Sequence, residues 1–392
     1  MIKLKKLANS PEKVYRELGW EWFLGDGEWK YLTSEIVEVT EDETDAFYEA
    51  GNELYEMFVE AADHVIDNNL WEEMGIPKNM IELIRYTWND ERHFHLLGRF
   101  DFAGGTSGLT IQLLEFNADT PTTLPETSIM QWTQLKANDL DEEQQFNFVY
   151  LALVENFKRL KNMNPDLQPK LLLSTMQEAP EDDANVEVIG EAAKEAGFEV
   201  EYRYIEEVVF SAEDGIFVDY GDEQYEKFDF WYKLVPWEYI ANDEPKLMKM
   251  LATMTMNRKV VILNPAYTLL FQSKAIMKYM WDLHKDHVLL LETSFEEIYR
   301  YEKYVKKVIL GREGDNTTIF NETGIPIAER KGDYGKYPSI YQAYTELDTD
   351  KDGKSYQAGV FFAYESCGLG FRRGKLIMDE DAEFLGHRIV EE

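Results

Sequence analysis

The stretch from residue 98 to residue 122 limits the fold of this chain more than any other. Two runs of alternating polar and apolar residues flank residues 103–108, a glycine-rich segment, which is the pattern of two strands joined by a turn. Side chains repeat with period two along a strand, so each strand presents its polar residues on one face. Those polar residues are Arg99, Asp101, Glu115 and Asn117.

These side chains predict a metal site that handles phosphate. Three oxygen-bearing groups beside an arginine suit Mg²⁺ that bridges nucleotide phosphates, because magnesium takes hard oxygen ligands and usually only a few from protein. The alternative is a surface hairpin whose polar residues face solvent, and the pattern alone favours this alternative.

Composition excludes several classes of protein. With 392 residues, 44% hydrophobic and 14% aromatic, the chain can fill the core of two or three domains, so a disordered protein is excluded. Forty basic and 75 acidic residues give a net charge of -35, which argues against nucleic-acid binding. The charge would attract a polycationic substrate, although solubility in a host with acidic proteins explains it more simply.

Cysteine content and hydropathy indicate a cytoplasmic protein that is not bound to a membrane. Cys367 is the only cysteine, which excludes an internal disulfide and a thiolate metal cluster. Its surroundings predict a structural role in a strand. Residues 1–7 carry charge without a following apolar segment, and no apolar run approaches the roughly twenty residues of a membrane span.

The first part of the chain is expected to be mostly helical. Residues 40–43 fit a capping box ahead of a long amphipathic helix, and residues 80–88 form a shorter one. Beyond the hairpin, a loop caps a helix that starts near Glu126, and another helix runs from about residue 141 to residue 161. His93 and His95 could be ligands, but their spacing favours one side of a strand that enters the hairpin.

The middle of the chain reads as a β-α-β unit. Residues 170–175 and 198–204 are predicted strands, residues 184–196 are the helix, and Gly197 ends that helix. No glycine fingerprint follows the first strand, so a dinucleotide site is not expected here. Residues 214–222 are predicted to form a hairpin, and residues 228–238 an aromatic core strand.

The last part of the chain carries a second candidate site. Residues 272–281 are predicted to be helical, and a strand at 304–310 leads into residues 311–316, a glycine-containing loop. A strand lysine before such a loop suits a nucleotide's phosphates, because the lysine supplies a point charge and the loop supplies backbone N–H groups. Lys306 and Lys307 face opposite sides, so only one can point to this site.

Two further motifs are weighed against simpler interpretations. Residues 348–353 match the start of an EF-hand loop, but Gly359 stands where the bidentate glutamate should be, so a hairpin turn is predicted. Arg372 and Arg373 are adjacent in an expected strand, and only one of them can face a site.

Taken in order, these motifs resemble the glutathionylspermidine synthase family, whose members are ATP-grasp ligases. The resemblance runs from near Glu17 to the C-terminus, and it is similar to the stand-alone synthetase-like members. The motifs are Arg99-x-Asp101, Glu115-x-Asn117-Ala-Asp, Gln272-x-Lys274-Ala-Ile, Lys307-x-x-x-Gly-Arg312 and the late arginine. Only the synthetase half resembles the bifunctional members, which add a cysteine amidase domain.

The resemblance implies a role for each matching residue. Arg99 and Arg372 would stabilise the reacting phosphate, and Arg372 fits the family spacing better than Arg373. Two Mg²⁺ ions would be held by Asp101, Glu115 and Asn117. ATP would be bound by Arg99, Lys274, Lys307, Gly311, Arg312, Gly314, Asn316 and Gln342, with Gln342 at the adenine. Thr120 would lie at the acid substrate, and Glu181 and Asp182 would meet the amine.

The resemblance also implies an ADP-forming carboxylate–amine ligase that works through an acyl phosphate and joins a small-molecule or peptide acid to an amine. Leu234 replaces a small hydroxyl residue of the polyamine-using members, which argues against spermidine as the amine. Glutathione is not predicted as the acid either. The alternatives are an ATP-grasp kinase and an inactive nucleotide-binding or partner-binding module. The oligomeric state is not predicted.

The expected fold class is α/β (α+β), an ATP-grasp-type ligase fold with a helical N-terminal region and a Rossmann-like β-α-β subdomain. Residues 1–165 would hold the helical region and the metal-binding hairpin, 166–262 the Rossmann-like substrate subdomain, and 263–392 the ATP-grasp nucleotide-binding region.

Overall fold

The computed structural model describes residues 1–25, 31–177, 179–297 and 302–391. Its α-helices are α1 (Glu12–Glu17), α2 (Glu41–Asn68), α3 (Ile81–Asn89), α4 (Gln131–Ala137), α5 (Val149–Met163), α6 (Pro180–Glu195), α7 (Trp237–Asp243), α8 (Pro245–Met256), α9 (Thr268–Gln272) and α10 (Ile276–Leu283). Short 3₁₀ turns lie at Glu21–Leu24, Lys78–Met80 and Ile205–Glu207, and a π turn at Glu126–Met130 precedes α4.

The strands, in chain order, are β1 (Lys3–Lys6), β2 (Glu35–Val39), β3 (Gly98–Ala103), β4 (Gln112–Asn117), β5 (Lys170–Ser174), β6 (Glu199–Tyr202), β7 (Val208–Ser211), β8 (Gly215–Asp219), β9 (Tyr225–Phe228), β10 (Phe230–Lys233) and β11 (Val261–Leu263). They continue with β12 (Thr293–Ser294), β13 (Tyr304–Val308), β14 (Thr317–Phe320), β15 (Pro326–Arg330), β16 (Ser339–Ala343), β17 (Asp348–Thr349), β18 (Ser355–Phe362), β19 (Ser366–Gly374), β20 (Glu383–Leu385) and β21 (His387–Ile389).

Two antiparallel sheets carry most of the predicted site. One has the order β20-β19-β18-β3-β4 with β17 on β18, and the other has the order β12-β16-β13-β14-β15. A parallel sheet follows the order β11-β10-β5-β6, and the two smaller sheets are β1-β2-β21 and β7-β8-β9. The hairpin β3–β4 therefore forms one edge of a sheet whose other strands come from the last third of the chain.

Aromatic packing fixes the inner face of the hairpin. Phe100 and Phe116 are direct cross-strand partners, and their rings stack with centroids 3.8 Å apart. Both rings contact Phe58 of α2, at 5.9 and 5.1 Å. Helix α2 begins at the predicted capping box, in which Thr40 Oγ1 accepts a hydrogen bond from the Glu43 N–H and the Glu43 side chain accepts one from the Thr40 N–H.

The predicted β-α-β unit is confirmed. Strands β5 and β6 pair in parallel, and α6 connects them. Gly197 follows α6 with φ of 87°, a conformation that glycine adopts without strain. The predicted hairpin at residues 214–222 is instead β8 with its flanking turns, the central strand between β7 and β9.

Four predicted elements are wrong in their bounds or their type. The aromatic strand expected at 228–238 is shorter, because β10 ends at Lys233 and helix α7 begins at Trp237. The helix expected from residue 141 begins only at Val149, because Asn147 forms a β-bridge with Gly368 and the Phe148 N–H donates to the Cys367 carbonyl. His93 and His95 lie in the loop before β3, not in a strand.

The helix expected at 272–281 is broken between α9 and α10. The Ser273 hydroxyl donates to the Met74 carbonyl, and the Lys274 N–H donates to the Ile309 carbonyl. The Lys274 N–H thus has a tertiary partner instead of a helical one, which places Lys274 at a helix break.

Within the described ranges, no helix combines the length and the apolar character needed to cross a membrane.

Candidate active site

A cavity of about 390 Å³ lies between the hairpin β3–β4 and the sheet that contains β13. Every residue that the sequence predicted for the site lines this cavity except Asn316. They are Arg99, Asp101, Glu115, Asn117, Thr120, Glu181, Asp182, Lys274, Lys307, Gly311, Arg312, Gly314, Gln342 and Arg372. The structure thus brings together residues from three distant parts of the chain.

The hairpin supplies one wall of the cavity. Arg99 and Asp101 are 7% and 2% exposed, so the alternative of a solvent-facing surface hairpin is wrong. The Arg99 guanidinium donates to both carboxylate oxygens of Asp101, at 2.8 and 3.1 Å, and also to the Thr122 carbonyl at 2.7 Å. Asn117 donates from Nδ2 to Asp101 Oδ2 at 3.1 Å. This network fixes Arg99 and Asp101 in place.

A β-bulge in β4 adds a feature that the alternation pattern did not predict. Asp101 pairs with Glu115, but Phe102 pairs with Leu113, so Leu114 is an extra residue in the second strand. Leu114 lines the cavity, and its carbonyl accepts a hydrogen bond from Lys307 Nζ at 3.3 Å. The bulge therefore turns two consecutive residues, Leu114 and Glu115, toward the cavity.

Lys274 connects the hairpin to the opposite wall. Its Nζ lies 2.8 Å from Glu115 Oε2 and donates to the Gly311 carbonyl, also at 2.8 Å. Burial alone would raise the pKa of Glu115, but Lys274 and Lys307 lower it to about 2. Glu115 is therefore a permanent carboxylate at neutral pH.

Lys307, and not its neighbour Lys306, faces the cavity. Its Nζ donates to Gln342 Oε1 at 2.8 Å, across the paired strands β13 and β16. Burial lowers the pKa of Lys307 to about 8, although Glu115 opposes that shift. Lys306 instead lies with its Nζ 6.0 Å from the centroid of the Tyr341 ring.

The two late arginines face opposite sides of β19. Arg372 lines the cavity and donates from Nη2 to the Asp379 carbonyl at 2.7 Å, while its buried Nε has no hydrogen-bond partner among the described residues. Arg373 pairs away from the cavity with Glu35 and Glu383, both at 2.7 Å. Arg372 is the one that can meet an anion here.

Acidic residues lie at another part of the cavity. Glu181 and Asp182 are half-buried in the first turn of α6. Burial and repulsion from Glu181 and Asp183 raise the pKa of Asp182 to about 7, and burial also raises the pKa of Glu181. A bound cation would favour the charged forms of these two carboxyl groups.

Two predicted nucleotide residues are engaged with protein. Asn316 does not line the cavity, and its Oδ1 accepts a hydrogen bond from the Tyr334 N–H at 2.9 Å. Arg312 does line the cavity, but its Nη2 lies 2.7 Å from the carboxylate of Glu238.

The side-chain oxygens at the hairpin fit magnesium better than a metal whose ligands all come from the protein. Among the described residues, no three His, Cys, Asp or Glu side chains are grouped as a metal site. Asp101 and Glu115 are two carboxylates on directly opposed positions, and Asn117 uses its amide N–H on Asp101, so its Oδ1 is the atom that could face a metal. Mg²⁺ usually takes only a few oxygen ligands from a protein, so these three side chains could hold it.

Two residues support the cavity without lining it. Asp119 pairs with Lys233 Nζ at 3.0 Å and accepts the Trp237 N–H at 2.8 Å, so it supports the cavity wall instead of lining it. Asn264, fully buried, binds the backbone of Leu97 and Asp119. An isolated asparagine carries no pattern that could have marked it.

Comparison with known proteins places these observations in a family. The family model described as "Glutathionylspermidine synthase preATP-grasp" matches residues 3–390. The "Putative acid--amine ligase" of Haemophilus influenzae is 29% identical over 377 residues, which cover 93% of this chain and 92% of that protein.

Two longer relatives are matched over part of their length. The trypanothione synthetase of Crithidia fasciculata is 26% identical over 370 residues, and the bifunctional glutathionylspermidine synthetase/amidase of Escherichia coli is 25% identical over 361. Each match covers 86% of this chain but only 54% and 56% of those proteins, so the chain spans just over half of their length.

A solved structure shares the fold. The apo form of a glutathione synthetase-like effector from Globodera pallida matches with a TM-score of 0.60 over 97% of this chain and 98% of that one, at 9% identity. The expected fold class, a mixed α and β structure of the ATP-grasp ligase type, is confirmed. The match over residues 3–390 shows that this chain belongs to the glutathionylspermidine synthase family.

Proposed function

We propose that this protein is an ATP- and Mg²⁺-dependent carboxylate–amine ligase that forms an amide through an acyl phosphate. One observation carries the proposal: a single cavity holds the metal-type oxygens of the hairpin, two lysines on the opposite wall and a pair of raised-pKa acids. The named activities of the relatives, an acid–amine ligase and two synthetases, support the same reaction class.

The nucleotide would lie against the sheet that contains β13. Lys274 and Lys307 supply positive charge, and the loop at residues 311–316 supplies backbone N–H groups for phosphates. A bound phosphate would favour the charged form of Lys307, whose pKa burial has lowered to about 8. Gln342, 1% exposed, orients this lysine through the hydrogen bond to its Nζ.

Mg²⁺ would be held by Asp101, Glu115 and Asn117. When bound, the metal supplies positive charge that neutralises phosphate oxygens. Arg99 is held beside these ligands by its paired hydrogen bonds with Asp101. Its fixed position needs no rearrangement during the reaction, which is the condition for effective electrostatic stabilisation.

The acid would react first. An oxygen of its carboxylate attacks the γ-phosphorus of ATP, the bond to the β-phosphate oxygen breaks, and ADP leaves. Arg99 and Arg372 offset the charge on the transferred phosphoryl group, and Arg372 has a buried N–H available for this. We place the acid near Thr120, which lines the cavity.

The amine would react second. Its nitrogen attacks the acyl carbon, the carbon–oxygen bond to phosphate breaks, inorganic phosphate leaves, and the nitrogen loses a proton to give the amide. We place the amine near Glu181 and Asp182, because an ammonium group would relieve the repulsion that raises the pKa of Asp182. This chemistry needs no protein nucleophile.

The proposal is tested by ADP release with ATP, Mg²⁺ and a panel of small acids, peptides and amines. We expect at least one acid–amine pair to release ADP and to yield a product whose mass equals the two substrates minus water. Glu115→Ala should abolish turnover, whereas Lys306→Ala should retain it, since Lys306 does not line the cavity.

Two results would contradict the proposal. A phosphorylated acceptor that persists as the final product would identify a kinase. Absence of both ADP release and nucleotide binding by calorimetry would favour an inactive module.

A further inference from the structure

The carboxylate of Glu238 is buried at the start of helix α7 and lies next to the nucleotide loop. It is 0% exposed, and apart from the contact with Arg312 neither of its oxygens has a hydrogen-bond partner within the described part of the chain. Its ion-pair partner is Arg312, whose Nη2 lies 2.7 Å from Oε1. Lys233 also interacts with Glu238 electrostatically, but Arg312 is the cation in direct contact with this buried carboxylate.

Arg312 belongs to the loop that follows β13. The residue before it, Gly311, accepts the hydrogen bond from Lys274 Nζ, so this part of the loop is tied to the phosphate-facing lysine. The Arg312 guanidinium also lies 5.1 Å from the centroid of the Tyr239 ring. Two consecutive residues of α7, Glu238 and Tyr239, therefore hold one loop arginine.

The same helix holds a neighbouring segment of the nucleotide-binding sheet. The hydroxyl groups of Tyr239 and Tyr334 are 2.8 Å apart, and Asn242 Nδ2 donates to the Tyr337 hydroxyl at 3.4 Å. The Tyr334 N–H in turn donates to Asn316, at the end of the loop. Helix α7 thus contacts both ends of the loop, one directly and one through Tyr334.

We propose that Glu238 is a positioning residue that holds the loop at residues 311–316, through Arg312, in the place where it can bind a nucleotide. Glu238 does not line the cavity, so it acts without touching the nucleotide. The inference rests on the proposed function, because it assigns the ordering of the nucleotide site to a helix that lies between strands β10 and β11 of the parallel sheet.

The charges explain why Arg312 stays with Glu238. If the guanidinium moved away to follow a phosphate, it would leave a fully buried carboxylate unpaired, which is strongly unfavourable. Arg312 is therefore fixed on one side by Glu238 while its remaining surface lines the cavity. Removal of the Glu238 charge should release the arginine and loosen the loop.

Calorimetry with a non-hydrolysable ATP analogue and Mg²⁺ tests this inference without knowledge of the acid or the amine. We expect Glu238→Gln to weaken analogue binding about tenfold or more, since it removes one charge-assisted contact. Asp243→Asn is the matched control, because Asp243 is an exposed acid at the other end of α7. It should bind the analogue like the wild type.

A double-mutant cycle separates positioning from general damage. If Glu238 acts only through Arg312, the variant Glu238→Gln/Arg312→Gln should bind no more weakly than Arg312→Gln alone. Tyr334→Phe keeps the ring and removes the hydroxyl contact to Tyr239 at a residue that does not line the cavity, so it tests the docking even if the Glu238 variant folds poorly. We expect the affinity for the analogue to fall about threefold, because the variant loses one neutral hydrogen bond.

Limited trypsin digestion gives a second readout. Cleavage after Arg312 should be faster in Glu238→Gln than in the wild type or in Asp243→Asn. Wild-type affinity in folded Glu238→Gln and in Tyr334→Phe would overturn the inference, as would multiplicative losses in the double variant. A wild-type protein that does not bind the analogue would instead overturn the proposed function, and this inference with it.

Discussion

Lys306 and Lys307 are consecutive residues, but only Lys307 lies in the proposed site. Lys307 contacts Gln342 and the Leu114 carbonyl inside the cavity, while Lys306 lies beside Tyr341 outside it. A charged hydrogen bond contributes about 1.5–3 kcal/mol, so Lys307→Ala should weaken nucleotide binding by about 10-fold to 100-fold. Lys306→Ala should change it by less than about twofold. Calorimetry of both variants tests this, and a larger loss in Lys306→Ala would contradict the assignment.

The acid pair on α6 gives a pH dependence. The pKa of Asp182, raised to about 7 by burial and by Glu181, Asp183 and Glu313, makes this group neutral below pH 7 and anionic above it. If the anion binds a cationic amine, kcat/KM for the amine should rise about tenfold between pH 6 and pH 8. The pH profile of Asp182→Asn should be flatter over this range. An identical profile in both proteins would exclude Asp182 as the amine-binding group.

At the residue scale, the sequence predicted side chains that belong to a regular pattern. Strand alternation placed Arg99 and Asp101 on one face of the first strand, and Glu115 and Asn117 on one face of the second. The structure agrees, because Arg99 pairs with Asn117 and Asp101 with Glu115 across β3 and β4. Glu238 and Asn264 could not be predicted in this way, because each depends on partners more than 70 positions away. A residue that acts through tertiary contacts leaves no periodic signal.

Helix α2 begins with a complete capping box. Loss of this capping box should lower the stability of the protein without affecting the cavity. Thr40→Ala deletes the hydroxyl that accepts the Glu43 N–H, which should lower the free energy of unfolding by about 1 kcal/mol. Thr253→Ala is a suitable control, since its hydroxyl only donates to the Lys249 carbonyl within α8. Urea unfolding of the two variants measures the difference. Equal midpoints would show that the cap contributes little.

At the element scale, helices and strands were predicted correctly where local pattern and tertiary packing agree. The parallel unit of β5, α6 and β6 is such a case. The break between α9 and α10 and the bulge at Leu114 were missed, because both arise from hydrogen bonds to distant segments. Each of these two departures places a functional candidate, Lys274 or Glu115, at the cavity.

On the scale of the whole molecule, a buried ion pair joins the end of the hairpin to the parallel sheet. Asp119 and Lys233 are both 0% exposed and 3.0 Å apart. Asp119→Ala would leave a buried ammonium unpaired, which should reduce the free energy of unfolding by about 3–5 kcal/mol.

An exposed pair provides the control for that loss. Glu155→Ala removes the exposed partner of Lys158 and should cost less than about 1 kcal/mol. Thermal and urea unfolding compare the two variants. A small loss in Asp119→Ala would mean that the pair does not hold these parts of the molecule together.

The sequence predicted the class of the whole molecule better than its assembly. The order of the motifs pointed to an ATP-grasp-type fold, and the family match over residues 3–390 agrees with that expectation. Strand β18 pairs with β3, and β19 pairs with β18, so the last part of the chain closes the cavity beside the hairpin. This pairing depends on contacts between segments far apart in the sequence. Local patterns do not carry this information.

An oxygen isotope in the acid substrate gives the most direct test of the acyl-phosphate mechanism. With both carboxylate oxygens of the acid substrate labelled with ¹⁸O, an acyl phosphate requires that one label appears in inorganic phosphate and the other stays in the amide. Mass spectrometry of both products measures this transfer. If the reaction passes through an acyl phosphate, each phosphate released per amide formed carries one ¹⁸O. Unlabelled phosphate together with an amide product would contradict it.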